Sequence, residues 1–285
     1  MKNNNRNTTL KALLDGNRCI VAPAAFDALS AKLVQETLYD VVYIGSYGTA
    51  ASSFGLPDVG LLSIDELARH ARGIVNSVDV PVIADAEGGA TEAANIWRTV
   101  REFEDAGVSA IHIEDHAGGK HTKMPQTLIP LESMLAKLRA ALAARRDPDF
   151  QIIARTDAIW AMNDKQEAFR RAQAFADIGV DMIFPCGADL QTAGELRAST
   201  GKKVAVIETP TGPEFAAANG ADLVIHYGFC LYAASKGMIE ALRRYRNGYR
   251  STEVLPLLED EHEFEKRFGY EEFEKRTMEF AQAAR

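Results

Sequence analysis

Four carboxylates and one arginine stand just after short apolar runs: Asp58, Asp85, Glu87, Glu114 and Arg155. Asp85 and Glu87 follow Val82-Ile83-Ala84, and Glu114 lies in His112-Ile113-Glu114-Asp115. Arg155 lies in Ala154-Arg155-Thr156-Asp157, and Asp58 ends Gly55-Leu56-Pro57-Asp58. Acids gathered at one rim raise each other's pKa unless a cation neutralises them. A hard divalent ion suits an all-oxygen set. Magnesium keeps several of its waters, so one or two carboxylates, Asp85 first, bind it directly and the rest hold its waters. Any single acid at such a place is as well explained as a helix N-cap. The whole set with an arginine is better explained as a site for an anionic substrate.

The elements that must position these residues follow from the apolar pattern. Eight short apolar runs, 19–22, 41–45, 80–84, 110–113, 151–154, 182–184, 204–207 and 223–225, read as strands. Between them lie amphipathic stretches such as 92–106, 131–144 and 166–178, each able to cover one side of a parallel strand. A weak repeat supports this order. Ala106-Gly107-Val108, Ile178-Gly179-Val180 and Asn219-Gly220-Ala221 each put a glycine where a helix ends and a buried strand begins. Eight such units predict an α/β fold, a (β/α)8 TIM barrel, in which the residues just past each strand face the active site. The turn Gly45-Ser46-Tyr47-Gly48-Thr49 then offers backbone N–H groups to a carboxylate or a developing oxyanion.

Composition narrows the partners. The 285 residues, 47% hydrophobic and 25% charged, suit one domain, 1–285, with 247–285 as a C-terminal helical extension. A net charge of −8 argues against nucleic acid and anionic membrane surfaces. No apolar run is long enough for a membrane span or a signal core, which predicts a cytoplasmic protein with a small-molecule partner. Cys19, Cys186 and Cys230 lie in apolar stretches and read as reduced core thiols. The tail carries Phe264, Phe268, Tyr270, Phe273 and Phe280 at irregular, near-helical spacings. Such a helix must pack on the barrel or on a neighbouring subunit, so an oligomer is expected.

Taken together, the 43–58 segment, the Asp85-x-Glu87 pair, the His112-Ile113-Glu114-Asp115 run and Ala154-Arg155-Thr156-Asp157 resemble the isocitrate lyase and phosphoenolpyruvate mutase superfamily. The likeness covers nearly the whole chain. It is nearest to the short branch with methylisocitrate lyase, dimethylmalate lyase and oxaloacetate decarboxylase. The resemblance implies a carbon–carbon lyase for small 2-oxo or 2-hydroxy di- or tricarboxylates that passes through a pyruvate-enolate-like species. It implies Mg2+, with Mn2+ as the alternative ion. Asp85 is then the direct ligand, supported through water by Asp58, Glu87 and Glu114. Tyr43, Ser46, Tyr47 and Gly48 would meet the substrate carboxylate, and Arg155 the substrate oxygen. The resemblance further implies a homotetramer that exchanges its C-terminal helices.

Departures from the family are equally specific. Glu87 stands where Asp is usual. The loop after the fourth strand, Gly118-Gly119-Lys120-His121-Thr122-Lys123-Met124-Pro125, lacks the proton-donating cysteine of the lyases. Cys186 stands where the lyases place a Glu, and no Asn is evident in Ile207-Glu208-Thr209-Pro210. His121 is the candidate replacement acid, with Lys120 or Lys123 as helper. Glu208 and His226 are candidate substrate contacts, and His112 reads as structural. Phosphorus–carbon chemistry on phosphonopyruvate fits less well, because His116 follows Asp115 where that branch has Lys and its loop Asn is absent. A non-catalytic binding paralogue is the third reading.

Overall fold

The computed structural model describes residues 3–16 and 18–283. Its eight strands are β1 (Ile20–Pro23), β2 (Val42–Ile44), β3 (Val82–Asp85), β4 (Ala110–Glu114), β5 (Gln151–Thr156), β6 (Met182–Pro185), β7 (Lys203–Ile207) and β8 (Leu223–His226). All pair in parallel, in the order β1-β8-β7-β6-β5-β4-β3-β2. The β1–β2 seam is closed by one bridge between Ala24 and Tyr43, with the Ala25 N–H donating to the Tyr43 carbonyl at 2.9 Å. This is the expected (β/α)8 TIM barrel. The third strand starts two residues later than the apolar run suggests. Gln35 Oε1 takes the N–H groups of Asp79 and Val80, at 2.6 and 3.2 Å, and removes them from the sheet.

The covering helices include Ile64–Val75, Ile96–Ala106, Leu131–Ala144, Lys165–Asp177 and Leu190–Thr200. Several open on side-chain caps. Ser63 and Glu66 form a reciprocal capping box, and Asp164 and Asp189 accept the N–H groups of Glu167 and Thr192. Gly107, Gly179 and Gly220 have φ of +89°, +90° and +90°, the left-handed turn anticipated for them.

Strand alternation separates two cores. Val82, Ala84, Ile111, Ile113, Ile152 and Ala154 face the helices. Ile83, Ala110, Ile153, Met182, Phe184 and Leu223 fill the barrel interior. Full burial of such a side chain contributes roughly 1.5–3 kcal/mol. Carried two residues beyond Ile83, Ile153 and Phe184, and four beyond Ala110, the same period of two sets Asp85, Arg155, Cys186 and Glu114 inward at the C-terminal end.

A first helix, Asn3–Asp15, is polar enough to escape notice in the sequence, with Leu10 and Leu14 among its few apolar residues. Both are buried in the barrel-interior core, and Lys203, which opens β7, donates to the Leu14 carbonyl. Leu10 and Leu14 therefore plug the end of the barrel opposite the carboxylates.

The chain divides into two compact units between Leu231 and Tyr232. The second holds most of the helix Phe229–Arg246 and the helices Glu261–Lys266 and Tyr270–Ala283. Within it the Phe264 and Phe268 rings lie 5.0 Å apart, while Phe273, Met278 and Phe280 are exposed. Among the described residues no helix is long and apolar enough to cross a membrane. Cys19 and Cys186 are buried, Cys230 is half-buried, and all three are free thiols.

Candidate active site

A cavity of about 410 Å³ opens at the C-terminal end of the barrel, within the size range of small-ligand pockets. Tyr43, Tyr47, Asp58, Asp85, Lys120, His121, Arg155 and Glu208 all line it. Asp85 is held at three edges. Its Oδ2 accepts from Ser46 Oγ at 3.0 Å, its Oδ1 accepts from the Glu87 N–H at 2.8 Å, and His112 Nδ1 lies 3.6 Å away. His112 is buried, and its Nε2 meets the Tyr43 hydroxyl at 2.8 Å.

Glu87 and Glu114 line an adjoining hollow, and Lys120 forms the wall between the two spaces. The Lys120 ammonium is almost fully buried. It lies 2.6 Å from Glu87 Oε2, 3.1 Å from Glu114 Oε1 and 3.6 Å from Asp58 Oδ2. Arg155 is gripped by Asp157 at 2.7 and 3.1 Å, and it approaches Glu114 Oε2 at 3.1 Å. Asp115 completes this frame without entering the cavity, accepting from the Asp157 N–H at 2.9 Å and from Arg171 at 3.1 Å.

Residues 117–126 fold back on themselves, because Gln126 Nε2 donates to the carbonyls of Gly119 and Met124, each at 2.8 Å. This turns Lys120 and His121 toward the cavity. His121 Nε2 reaches Asp58 Oδ2 at 3.3 Å, and its ring packs edge-on against Tyr47 and Trp160. Lys123 is not among the residues that line the cavity. Six described non-glycine residues have positive φ, and three of them border this site: Glu87 at +53°, His121 at +61° and Glu208 at +23°. Such backbone costs of order 1–3 kcal/mol each and collects at functional sites.

Three expected contacts fall elsewhere. His226 does not line the cavity; its ring packs against Phe229, with centroids 6.1 Å apart. Strand alternation is the cause, since Ile225 and Tyr227 take the inward places on either side of it. Ser46 is buried behind Asp85 and acts on that carboxylate rather than lining the cavity. Gly48 packs toward Phe26, whose Cβ lies 3.4 Å from where a Cβ on Gly48 would sit. The helix Ser46–Thr49 still opens at the rim, and its first amide groups have no intrahelical carbonyls.

Sequence reasoning missed Trp160, Phe184 and Tyr227 as lining residues. Phe184 and Tyr227 were accessible through the period of two. Trp160 was not, because its place depends on its N–H donating to the Cys186 carbonyl at 3.2 Å and on the absence of a side chain at Gly187.

Compared with known proteins, the phosphoenolpyruvate phosphomutase family matches residues 10–246. The chain belongs to this family. It is 32% identical over 282 residues to 2,3-dimethylmalate lyase of Eubacterium barkeri, covering 92% of this chain and 93% of that protein. It is 34% identical over 287 residues to 2-methylisocitrate lyase of Aeropyrum pernix, covering 96% and 91% respectively. A crystal structure of phosphonopyruvate hydrolase with oxalate and Mg2+ superposes with a TM-score of 0.83 at 30% identity, covering 95% of this chain and 97% of that one.

The donor set of this family member fits a divalent cation. Asp58, Glu87 and Glu114 already surround one positive charge, and the same ammonium acts on Asp85 through space. Among the described residues no three acidic, histidine or cysteine groups form a direct metal cage.

Burial alone would raise the Asp85 carboxyl, but His112, which buried as it is carries charge only in acid, the charges of Lys120 and Arg155 and the Glu87 N–H hold it well below the usual range. Asp58 is also held low, its burial outweighed by His121 and Lys120. Glu87 goes the other way. Burial and the charges of Asp85, Glu114 and Asp58 push it up to about 9 against the pull of Lys120, whose single charge is divided among several acids.

A folded-state value above the unfolded 4.5 means that the folded protein holds the extra proton, so stability is lost as pH rises through about 9. Without metal, the urea midpoint of the protein is expected to fall between about pH 7 and about pH 9. Glu87→Gln should flatten that fall, and so should saturating Mg2+ with the native residue present. An equal slope in the variant would show that another group is responsible.

Proposed function

We propose that this chain is a magnesium-dependent carbon–carbon lyase, an aldol-type lyase or a decarboxylase. Its substrate is a small 2-oxo or 2-hydroxy di- or tricarboxylate, and the reaction passes through a pyruvate-enolate-like species. The observation that carries this reading is the gathering of Asp58, Asp85, Glu87 and Glu114 around one cationic point beside Arg155. Similarity to 2,3-dimethylmalate lyase and 2-methylisocitrate lyase supports the reaction class.

When bound, Mg2+ or Mn2+ supplies Lewis-acid polarisation of the substrate oxygen. Asp85 is the direct ligand in this reading, and Asp58, Glu87 and Glu114 hold its waters. Arg155 is fixed in place by Asp157 and faces the oxygen that gains charge, so little reorganisation is needed as the reaction proceeds. Tyr47 and the helix opening at Ser46 take the substrate carboxylate, with Tyr43 beneath them. His121, poised over the cavity, carries the proton that a loop cysteine would otherwise donate, with Lys120 beside it. The exposed Phe273, Met278 and Phe280 support a homotetramer built by C-terminal helix exchange. The free cysteines suit the cytoplasm.

The likeness to phosphonopyruvate hydrolase favours phosphorus–carbon cleavage as a second reading. One assay separates the readings. Oxaloacetate, methylisocitrate, dimethylmalate and phosphonopyruvate are supplied with Mg2+ or with chelator, and pyruvate and phosphate are both measured. Magnesium-dependent pyruvate without phosphate is the expected result. Phosphate release would establish the second reading. No product from any of them, with Mg2+ still bound, would mark a binding protein.

A further inference from the structure

Five rings meet in series at the cavity: Tyr227, Tyr47, His121, Trp160 and His116. Their consecutive centroids lie 5.7, 5.5, 5.1 and 5.6 Å apart. The rings belong to the segments that follow β8, β2, β4 and β5, and Trp160 touches the loop after β4 twice. It meets His116 at the base of that loop and His121 near its middle.

Trp160 is the fixed member of the series. It lies on the short helix Ala158–Met162, which ends where Asn163 turns left-handed, at a φ of +52°, and donates its N–H to the Ile159 carbonyl at 2.9 Å. Asp157, which opens this helix, is the residue that grips Arg155. The Trp160 N–H donates to the Cys186 carbonyl at 3.2 Å, and a Cβ on Gly187 would sit 3.0 Å from the same nitrogen. The tryptophan is thus anchored to the ends of both β5 and β6.

The loop, by contrast, is tied chiefly to itself at its base. His116 and Leu128 form an antiparallel bridge, and the Ala117 N–H donates to the Thr127 carbonyl at 2.9 Å. His116 Nδ1 accepts the Gly118 N–H at 3.1 Å, so the ring hydrogen is on Nε2 and is donated to Gln126 Oε1 at 2.7 Å. Gln126 is the side chain that folds the loop back. Further along, His121 has its strained left-handed backbone and sets its ring between Tyr47 and Trp160.

We infer that Trp160 is a positioning residue: packed against both histidines, it holds the loop 117–126 over the cavity and so places His121 and Lys120. The placement stands on geometry alone, whereas its kinetic consequence rests on the lyase reading above and on His121 as the proton carrier. Removing the indole leaves the hydrogen bonds within the loop intact and takes away its two ring contacts with a fixed element. The loop then opens as a unit more often.

Hydrogen exchange of peptides covering 117–126, read by mass spectrometry on the full chain without added metal, tests the placement. Trp160→Ala should speed exchange there by about 10-fold, the scale of two aromatic contacts, and Trp160→Phe, which keeps a ring, by less than about 3-fold. Peptides from β3 and β6 should keep the native rate. No change at 117–126 in Trp160→Ala overturns the inference, and so does an equal rise in the strands, which would mark a general loosening.

The kinetic arm uses whichever of the four acids named above the native protein cleaves. Trp160→Ala should lower kcat by at least about 10-fold while KM changes by less than about 3-fold, and Trp160→Phe should recover most of kcat. A rise in KM with kcat unchanged would make Trp160 a substrate contact and overturn the inference. If the native protein cleaves none of the four, the lyase reading fails, and the exchange rates still decide whether Trp160 holds the loop.

Discussion

Lys120→Met is expected to cost the metal-free protein about 3–5 kcal/mol of stability, the scale of breaking a buried ion pair by removing one partner, and saturating Mg2+ is expected to restore most of it. The residue is 3% exposed and its ammonium touches Glu87, Glu114 and Asp58. Methionine has a similar length and no charge, so the packing survives while the acids lose their common cation. A divalent ion replaces what the ammonium supplied, and binding to the folded state alone stabilises it by mass action. The apparent Mg2+ affinity should therefore be tighter in the variant, since no tethered ammonium competes. Urea midpoints with and without Mg2+, together with calorimetric titration, read both effects. Equal midpoints for the two proteins without metal would remove Lys120 from this role.

The second large effect belongs to Asp85. Asp85→Asn should lower kcat by more than about 100-fold, exceeding the roughly 10–100-fold typical of residues that only orient a metal ligand. One carboxylate oxygen accepts from Ser46 and the other from the Glu87 N–H. An amide nitrogen turned to the Glu87 N–H faces a donor with a donor, and one turned to Ser46 needs that hydroxyl to rotate and accept, so the variant loses a metal-binding charge and its fixed geometry together. Ser46→Ala, which removes only the supporting hydroxyl, should fall within the 10–100-fold range. If Asp85→Asn keeps more than about a tenth of its activity, this carboxylate is not the ligand on which the site depends.

How far these residues were legible in the sequence depends on what places each one. Asp85, Glu114 and Arg155 lie at strand ends, where the alternation that buries Ile83 and Ile153 also sets their direction. A residue pattern carries that information directly. The candidacy of His226 rests only on its place at the end of strand eight, without the alternation, which gives the inward phase to Ile225 and to Tyr227 just past the end of β8. Lys120 shows a different limit. Its spacing marks it as a loop residue over the site, but its burial among the acids follows from the fold of the loop around Gln126. No local pattern reports such a contact. The N-terminal helix was equally hidden, because two leucines in a polar stretch are a weak periodic signal until the barrel end they fill is known.

The left-handed backbone at Glu87, His121 and Glu208 also bears on how this protein responds to selection for heat tolerance alone. Glycine adopts that backbone without penalty, so at each of these positions a mutation to glycine relieves strain. A library sorted only for survival at high temperature should therefore enrich glycine at 87, 121 and 208, and should lose turnover as it does so. These three places would then appear as the positions where robustness and activity pull the chain toward different residues.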